Sequence, residues 1–295
     1  MQKKGLKNFE KICSDIKAAR IQGAEAIAKA ALEALTYRHD KAAIERLVRL
    51  RPTEPTLRNA IVIASSLVDK GKSWDEAIAS VKHYFEIFDA KIDEYAARLI
   101  KDNAIIYTHC HSSTVEKALK LAWQKGKRFE VYVTETRPLF QGRITAERLA
   151  RAGIPVTLAV DSAARALIRK ADMFLFGADA ITSEGNVINK IGTGTFAEIA
   201  QSYDVPCYCL AIGLKYDPVT RYGYEEPIEE RPTSEVWDKR IKNLKILNPA
   251  FEVVEAKNIN AIISEFGILR PADFVLKISQ LWEKDGIIEN LRLFS

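Results

Sequence analysis

From Ala104 onward the sequence alternates short apolar, β-branched runs with amphipathic stretches, and a chain patterned this way has few folds open to it. Runs at 104–108, 130–134, 155–160, 173–176 and 206–212 predict strands, and stretches at 114–125, 144–152, 162–170 and 193–203 predict the helices between them. Alternation at this spacing predicts βαβ units in a mostly parallel, doubly wound sheet. A further strand at Phe251-Glu-Val-Val254 and a helix at Pro271–Trp282 close the pattern. Upstream the period is helical. Apolar residues recur at helical spacing from Asn8 to Ala34, and again from Trp74 to Arg98 with Ser73 as N-cap. Arg51-Pro-Thr-Glu-Pro-Thr-Leu-Arg58 reads as a proline-punctuated loop. The expectation is an α/β protein, with a helical N-terminal domain over 1–102 and a Rossmann-like, mostly parallel doubly wound sheet domain over 103–295.

In such sheets the strand ends meet along one edge, where ligands bind. Two strands here break into chemically useful residues. Ile105-Ile-Tyr-Thr-His-Cys-His-Ser-Ser-Thr114 is an apolar strand ending in a small, hydroxyl-rich turn with Cys110 at the break. Met173-Phe-Leu-Phe-Gly-Ala-Asp-Ala180 brings Asp179 to the end of a second buried strand. A thiol and a carboxyl group on one edge make an acid–base pair. Asp179 has a structural alternative, capping the Ser183-Glu-Gly turn. If strand alternation persists past Thr108, His109 and His111 share the face opposite the thiol. One of them then packs or hydrogen-bonds, and a protonated imidazole there lowers the thiol pKa. No Cys/His cluster elsewhere has ligand spacing, so no metal is expected.

Basic residues gather at the ends of these elements. Thr134-Glu-Thr-Arg-Pro-Leu-Phe-Gln-Gly142 links a strand to a helix. It is either an anion-binding loop using Arg137 or an ordinary loop with a solvated arginine. Asn189, Lys190 and Thr193 precede a Gly-Thr-Gly helix start and are candidates to hold a phosphate or to partner Asp179. Arg20 before Gly23-Ala24, Arg51 in the proline loop, Lys215 after the last run, and Arg231 in the excursion from Asp217 to Ser234 are further candidates. A net charge of +5 suits an anionic small molecule and decides little by itself. No Walker loop or Gly-x-Gly-x-x-Gly fingerprint is present, and aromatics do not interleave with basic runs. Nucleotide cofactors and nucleic-acid partners are therefore not expected. Cys207 and Cys209 read as small buried hydrophobes, with no disulfide framework. No apolar run approaches a membrane span of about 20 residues, the first residues do not read as a signal peptide, and the cytoplasm is expected.

Taken together, Ile21-Gln-Gly-Ala24, Arg51-Pro-Thr53, Thr108-His-Cys-His-Ser112, Glu135-Thr-Arg-Pro138, Gln141-Gly142, Gly177-Ala-Asp179, Asn189-Lys-Ile-Gly192 and Asn248-Pro-Ala-Phe251 resemble a known family. It unites ribose-1,5-bisphosphate isomerases, methylthioribose-1-phosphate isomerases and the alpha, beta and delta subunits of translation initiation factor 2B. The resemblance covers nearly the whole chain. It implies a helical domain before a Rossmann-like one, catalytic roles for Cys110 and Asp179, and substrate binding by Gly23, Ala24, Arg51, Arg137, Asn189, Lys190, Lys215 and Arg231. It also implies a homo-oligomer, a dimer or a trimer of dimers, with Arg231 reaching across a subunit interface. The retained Cys110–Asp179 pair and the His111-Ser-Ser-Thr run look like the ribose-bisphosphate branch. That branch converts ribose 1,5-bisphosphate to ribulose 1,5-bisphosphate in nucleoside monophosphate (AMP) salvage, without a cofactor. The alternatives are a regulatory subunit of an initiation factor 2B-like complex and a methylthioribose-1-phosphate isomerase. Gln22 stands where the isomerases usually carry arginine, which puts one phosphate contact in question; Arg20 is the candidate substitute.

Overall fold

The computed structural model describes residues 2–18, 20–21, 23–51 and 54–284. Five helices come first: α1 (Gln2–Lys17), α2 (Ala24–Tyr37), α3 (Lys41–Val48), α4 (Pro55–Asp69) and α5 (Trp74–Leu99). The helical spacing from Asn8 to Ala34 is split between α1 and α2. Gly23 sits at the break with φ +89°, a left-handed value that costs glycine little. Pro55 to Arg58, expected in a loop, form the first turn of α4, because proline fits the first helical position, where its missing N–H has no partner to lose. Ser73 and Glu76 close a capping box on α5, as the N-cap expectation requires. Phe9, Ile16, Ile27, Leu32, Leu35 and Phe85 are buried among these helices.

The α/β part follows: β1 (Ala104–Thr108), α6 (Ser113–Gln124), β2 (Phe129–Thr134), α7 (Gln141–Arg151), β3 (Val156–Ala159), α8 (Ala164–Ile168), β4 (Met173–Gly177), β5 (Ala180–Ile181), β6 (Val187–Lys190), α9 (Thr193–Gln201), β7 (Cys207–Leu210), β8 (Phe251–Val254), β9 (Ala261–Ser264), β10 (Gly267–Leu269) and α10 (Pro271–Lys284). Seven strands form one sheet in the order β10-β9-β7-β4-β1-β2-β3. All neighbours are parallel except the edge pair β9–β10. From β1 the chain moves outward through β2 to β3, then returns to the other side of β1 to lay down β4, β7 and β9. Winding therefore reverses between β1 and β4. β8 leaves the main sheet and pairs with β6 in a small antiparallel sheet, β5-β6-β8. The strands β5, β6, β9 and β10 are short and were not expected from the apolar pattern.

Cys207 and Cys209 are fully buried on β7, and burial pushes both thiols up to about 12. The helical and sheet regions are joined by buried polar contacts. Asn59 Nδ2 donates to the carbonyls of Leu214 and Tyr216, each at 2.8 Å. Arg58 pairs with Asp217 at 2.5 Å, and the Tyr84 hydroxyl donates to Glu265. Among the described residues, no helix is long and apolar enough to cross a membrane.

Candidate active site

β1 and β4 lie side by side, so the residues after Thr108 and Gly177 emerge together where the winding reverses, the position at which open parallel sheets bind ligands. Strand alternation does not persist past Thr108. Cys110 takes a left-handed conformation, φ +64°, uncommon for a residue with a side chain and typical of functional turns. Its backbone is held at both ends. The Cys110 N–H donates to Thr136 Oγ1 at 3.0 Å, and Thr145 Oγ1 donates to the Cys110 carbonyl at 2.8 Å. Ser112 then caps α6 by accepting from the Val115 N–H at 3.3 Å. Gly177 permits the approach of β4 to this cap: a Cβ there would lie 2.6 Å from Ser112 Oγ.

The turn separates the two histidines instead of aligning them. His109 is buried, with Nε2 3.0 Å from the Ile191 carbonyl and Nδ1 3.0 Å from Thr134 Oγ1. A carbonyl only accepts, so Nε2 carries the proton and Nδ1 accepts from a threonine hydroxyl. Burial pushes the pKa of His109 down to about 4. His111 contacts Thr145 Oγ1 at 3.1 Å, and burial lowers its pKa also. Neither imidazole supplies the positive charge expected beside the thiol. Burial instead pushes Cys110 up to about 11, and Lys190 is the nearby charge that opposes this most. Asp179 is likewise raised by burial, with Lys215, Lys190 and Arg51 pulling the other way and Glu229 adding to the rise.

Gly23, Ala24, Arg51, Cys110, Asp179, Asn189, Lys190, Lys215 and Arg231 all line one cavity of about 610 Å³. Gly23 and Ala24 bring the N-terminus of α2 to its wall. Lys190 lies over the Phe251 ring at 4.9 Å, and Lys215 donates to the Ala178 carbonyl just before Asp179. Asn189 Nδ2 donates to Thr193 Oγ1 at 3.1 Å, and that hydroxyl donates to the Lys190 carbonyl at 2.6 Å, which fixes the end of β6. Arg231 lines the cavity of its own chain, paired with Glu235 at 2.6 Å and Glu229 at 3.4 Å.

Arg137 is the exception among the candidates. Its side chain is exposed and lies over the Phe140 ring at 5.0 Å, with Nη2 3.4 Å from the Val236 carbonyl. The residues of this loop that line the cavity are Leu139 and Gln141. Arg137 points away because Asp161 anchors the loop by accepting from the backbone N–H groups of Thr136 and Arg137. Arg20 is also exposed, pairing with Asp15 at 2.6 Å, and does not line the cavity. Gln22 lies outside the described residues.

Several lining residues were not anticipated. Glu54 is buried and 3.5 Å from Arg51; Glu229 accepts from Arg51 at 3.0 Å. Glu25, Lys29, Asp89 and Lys117 form a charged cluster on the helical side, with Lys117–Asp89 at 2.8 Å and Lys29–Glu25 at 2.5 Å. The only prior signal for Glu54 was its place three residues after Arg51. The arrangement offers a thiol and an acid as proton donor or acceptor, with cations for anionic groups of a small molecule.

The model of the initiation factor 2 subunit family matches residues 14–271 of this chain. Ribose 1,5-bisphosphate isomerase of Archaeoglobus fulgidus is 37% identical over 292 residues, covering 93% of this chain and 93% of that protein. Methylthioribose-1-phosphate isomerase of Heliobacterium modesticaldum is 33% identical over 301 residues, covering 88% and 87%. Among solved structures, the translation initiation factor eIF-2B of Pyrococcus horikoshii OT3 superposes with a TM-score of 0.79 at 28% identity, covering 90% of this chain and 98% of that one.

Proposed function

The chain belongs to the initiation factor 2 subunit family, and from that premise we propose that it is an aldose–ketose isomerase converting α-D-ribose 1,5-bisphosphate to D-ribulose 1,5-bisphosphate. The observation that carries this reading is that Cys110 and Asp179, at the reversal between β1 and β4, line one cavity together with Arg51, Lys190, Lys215 and Arg231. The similarity to a ribose 1,5-bisphosphate isomerase over almost the full length of both chains supports it.

Asp179, whose burial favours the protonated form, donates to the ring oxygen as the C1–O bond of the ring breaks. Cys110, as thiolate, removes the proton from C2, leaving a C1=C2 enol that still carries both phosphates. The thiol then returns that proton to C1, while the C2 hydroxyl gives its proton back to Asp179 and becomes the ketone. Both groups end as they began, and no redox partner is needed. Burial opposes the thiolate, and Lys190 is the group that eases its formation. Two phosphates need two anion sites. The α2 N-terminus at Gly23-Ala24 with Arg51 serves one, and Asn189, Lys190 and Lys215 serve the other. The same reading treats 1–102 and 103–295 as separate domains and gives the protein a cytoplasmic role in nucleoside monophosphate salvage, as a homo-oligomer.

The test is to incubate the protein with α-ribose 1,5-bisphosphate and follow ribulose 1,5-bisphosphate. Wild type is expected to form product, with kcat/KM rising as pH increases above neutrality, because the base is a thiol held up at about 11. Cys110→Ser is expected to lose about 10²-fold or more in kcat while still binding substrate. A fully active Cys110→Ser enzyme contradicts the assignment.

A further inference from the structure

Glu54 has no part in the chemistry above, yet it lines the same cavity from the helical side. It is 3% exposed, so its carboxyl group is almost wholly withdrawn from bulk water. Oε1 lies 3.5 Å from Arg51 Nη2, while Oε2 has no hydrogen-bond partner among the described residues. Glu54 occupies the N-cap position of α4, where a side-chain oxygen ordinarily accepts from the first turn, but it makes no such bond. A buried polar atom left without a partner is costly, and such atoms call for a specific explanation. Oε2 is itself enclosed, and a small turn of the carboxyl group, which lines the cavity, would present this unpartnered acceptor to a molecule bound there.

We propose that Glu54 is a specificity-determining residue of this site, its free Oε2 hydrogen-bonding a hydroxyl of the bound sugar. The inference rests on the reading of the substrate as ribose 1,5-bisphosphate, which carries hydroxyls on C2 and C3. Phosphate is the poorer occupant for this oxygen. Burial pushes the Glu54 pKa up to about 8, and Glu229 adds to the rise as a like charge. A hydroxyl both donates and accepts, so it satisfies this carboxyl group whether or not the group is ionised. The consequence is discrimination between ribose and deoxyribose bisphosphates, since a site built around a hydroxyl rejects an analogue that lacks it.

The experiment uses the full chain carrying Cys110→Ser, so that ligands are not turned over. Ribose 1,5-bisphosphate, 2-deoxyribose 1,5-bisphosphate and 3-deoxyribose 1,5-bisphosphate are titrated calorimetrically into this parent and into the same protein with Glu54→Ala. The parent is expected to prefer ribose 1,5-bisphosphate over one of the deoxy forms by about tenfold or more, and Glu54→Ala to erase that preference. Glu54→Met, which fills the same space without an oxygen, is expected to behave alike and replaces Glu54→Ala if that variant does not fold. A preference that survives in a folded Glu54 variant, or no preference in the parent, overturns the proposal. A parent that binds none of the three sugars removes the substrate reading itself, and the proposal with it.

Discussion

The two walls of the cavity are built on different principles. On the sheet wall, Cys110 and Asp179 are placed by backbone: a left-handed turn held by Thr136 and Thr145, and a strand end that reaches Ser112 only because residue 177 is glycine. On the helical wall the groups are long charged side chains held by one another. Arg51 lies between Glu54 and Glu229, and Lys117 lies between Glu25 and Asp89. The first kind of construction fixes position to fractions of an ångström and tolerates little. The second sets the electrostatic field and can be altered one charge at a time. On the proposed reading the reacting groups sit on the rigid wall, and the adjustable wall contributes one of the two sites for substrate charge.

The sharpest way to break this contrast is on the sheet wall. Gly177→Ala puts a Cβ 2.6 Å from Ser112 Oγ, at the junction of the β4 end and the α6 cap. It is expected to destabilise the protein by about 1–3 kcal/mol in urea unfolding, and to lower kcat by more than it changes KM, because the shift separates Cys110 from Asp179. Unchanged kcat with unchanged stability means that the rigid wall is not rigid.

On the helical wall the effect depends on pH. The folded protein holds Glu54 at about 8 against an ordinary value of 4.5, so between these pH values the folded chain keeps a proton that the unfolded chain has lost. The contribution of Glu54 to stability therefore falls as pH rises through that window, and Glu54→Gln removes that contribution. The variant is expected to melt close to wild type near pH 4.5 and progressively higher than wild type toward pH 8. A melting difference that does not grow with pH contradicts the raised value.

The smallest effect is expected outside both walls. Arg137 is exposed on Phe140 and away from the cavity, so Arg137→Ala is expected to change kcat/KM by less than about twofold and stability within about 0.5 kcal/mol. A large rise in KM means that the loop turns its guanidinium inward when substrate binds.

How far the sequence could be read follows the range of the forces involved. The strands at 104–108 and 173–176 and the capping box at Ser73 were legible because burial periodicity and capping act over a few residues. β5 and β10, with two and three residues, carry too little pattern, and β6 and β9 were not picked out either. The split between α1 and α2 was also hidden, because an alanine-rich segment keeps its helical spacing across a glycine. Of the candidate site residues, those at strand ends and helix starts line the cavity, as do Arg51 and Arg231 from loops. Arg137, on a loop held by Asp161, does not.

By itself, the sequence determined the class of fold and the two chemical groups at its strand ends, because alternation of hydrophobic runs and the residue at each break are local facts. Only the tertiary structure decided that β1 and β4 are neighbours at the reversal of winding, and so that Cys110 and Asp179 share a site. It alone decided that His109 is neutral, that Lys190 is the cation working on the thiol, and that Glu54 lies buried beside them with an oxygen to spare. Strand order and desolvation depend on what packs around a residue from distant parts of the chain, and no local pattern encodes that.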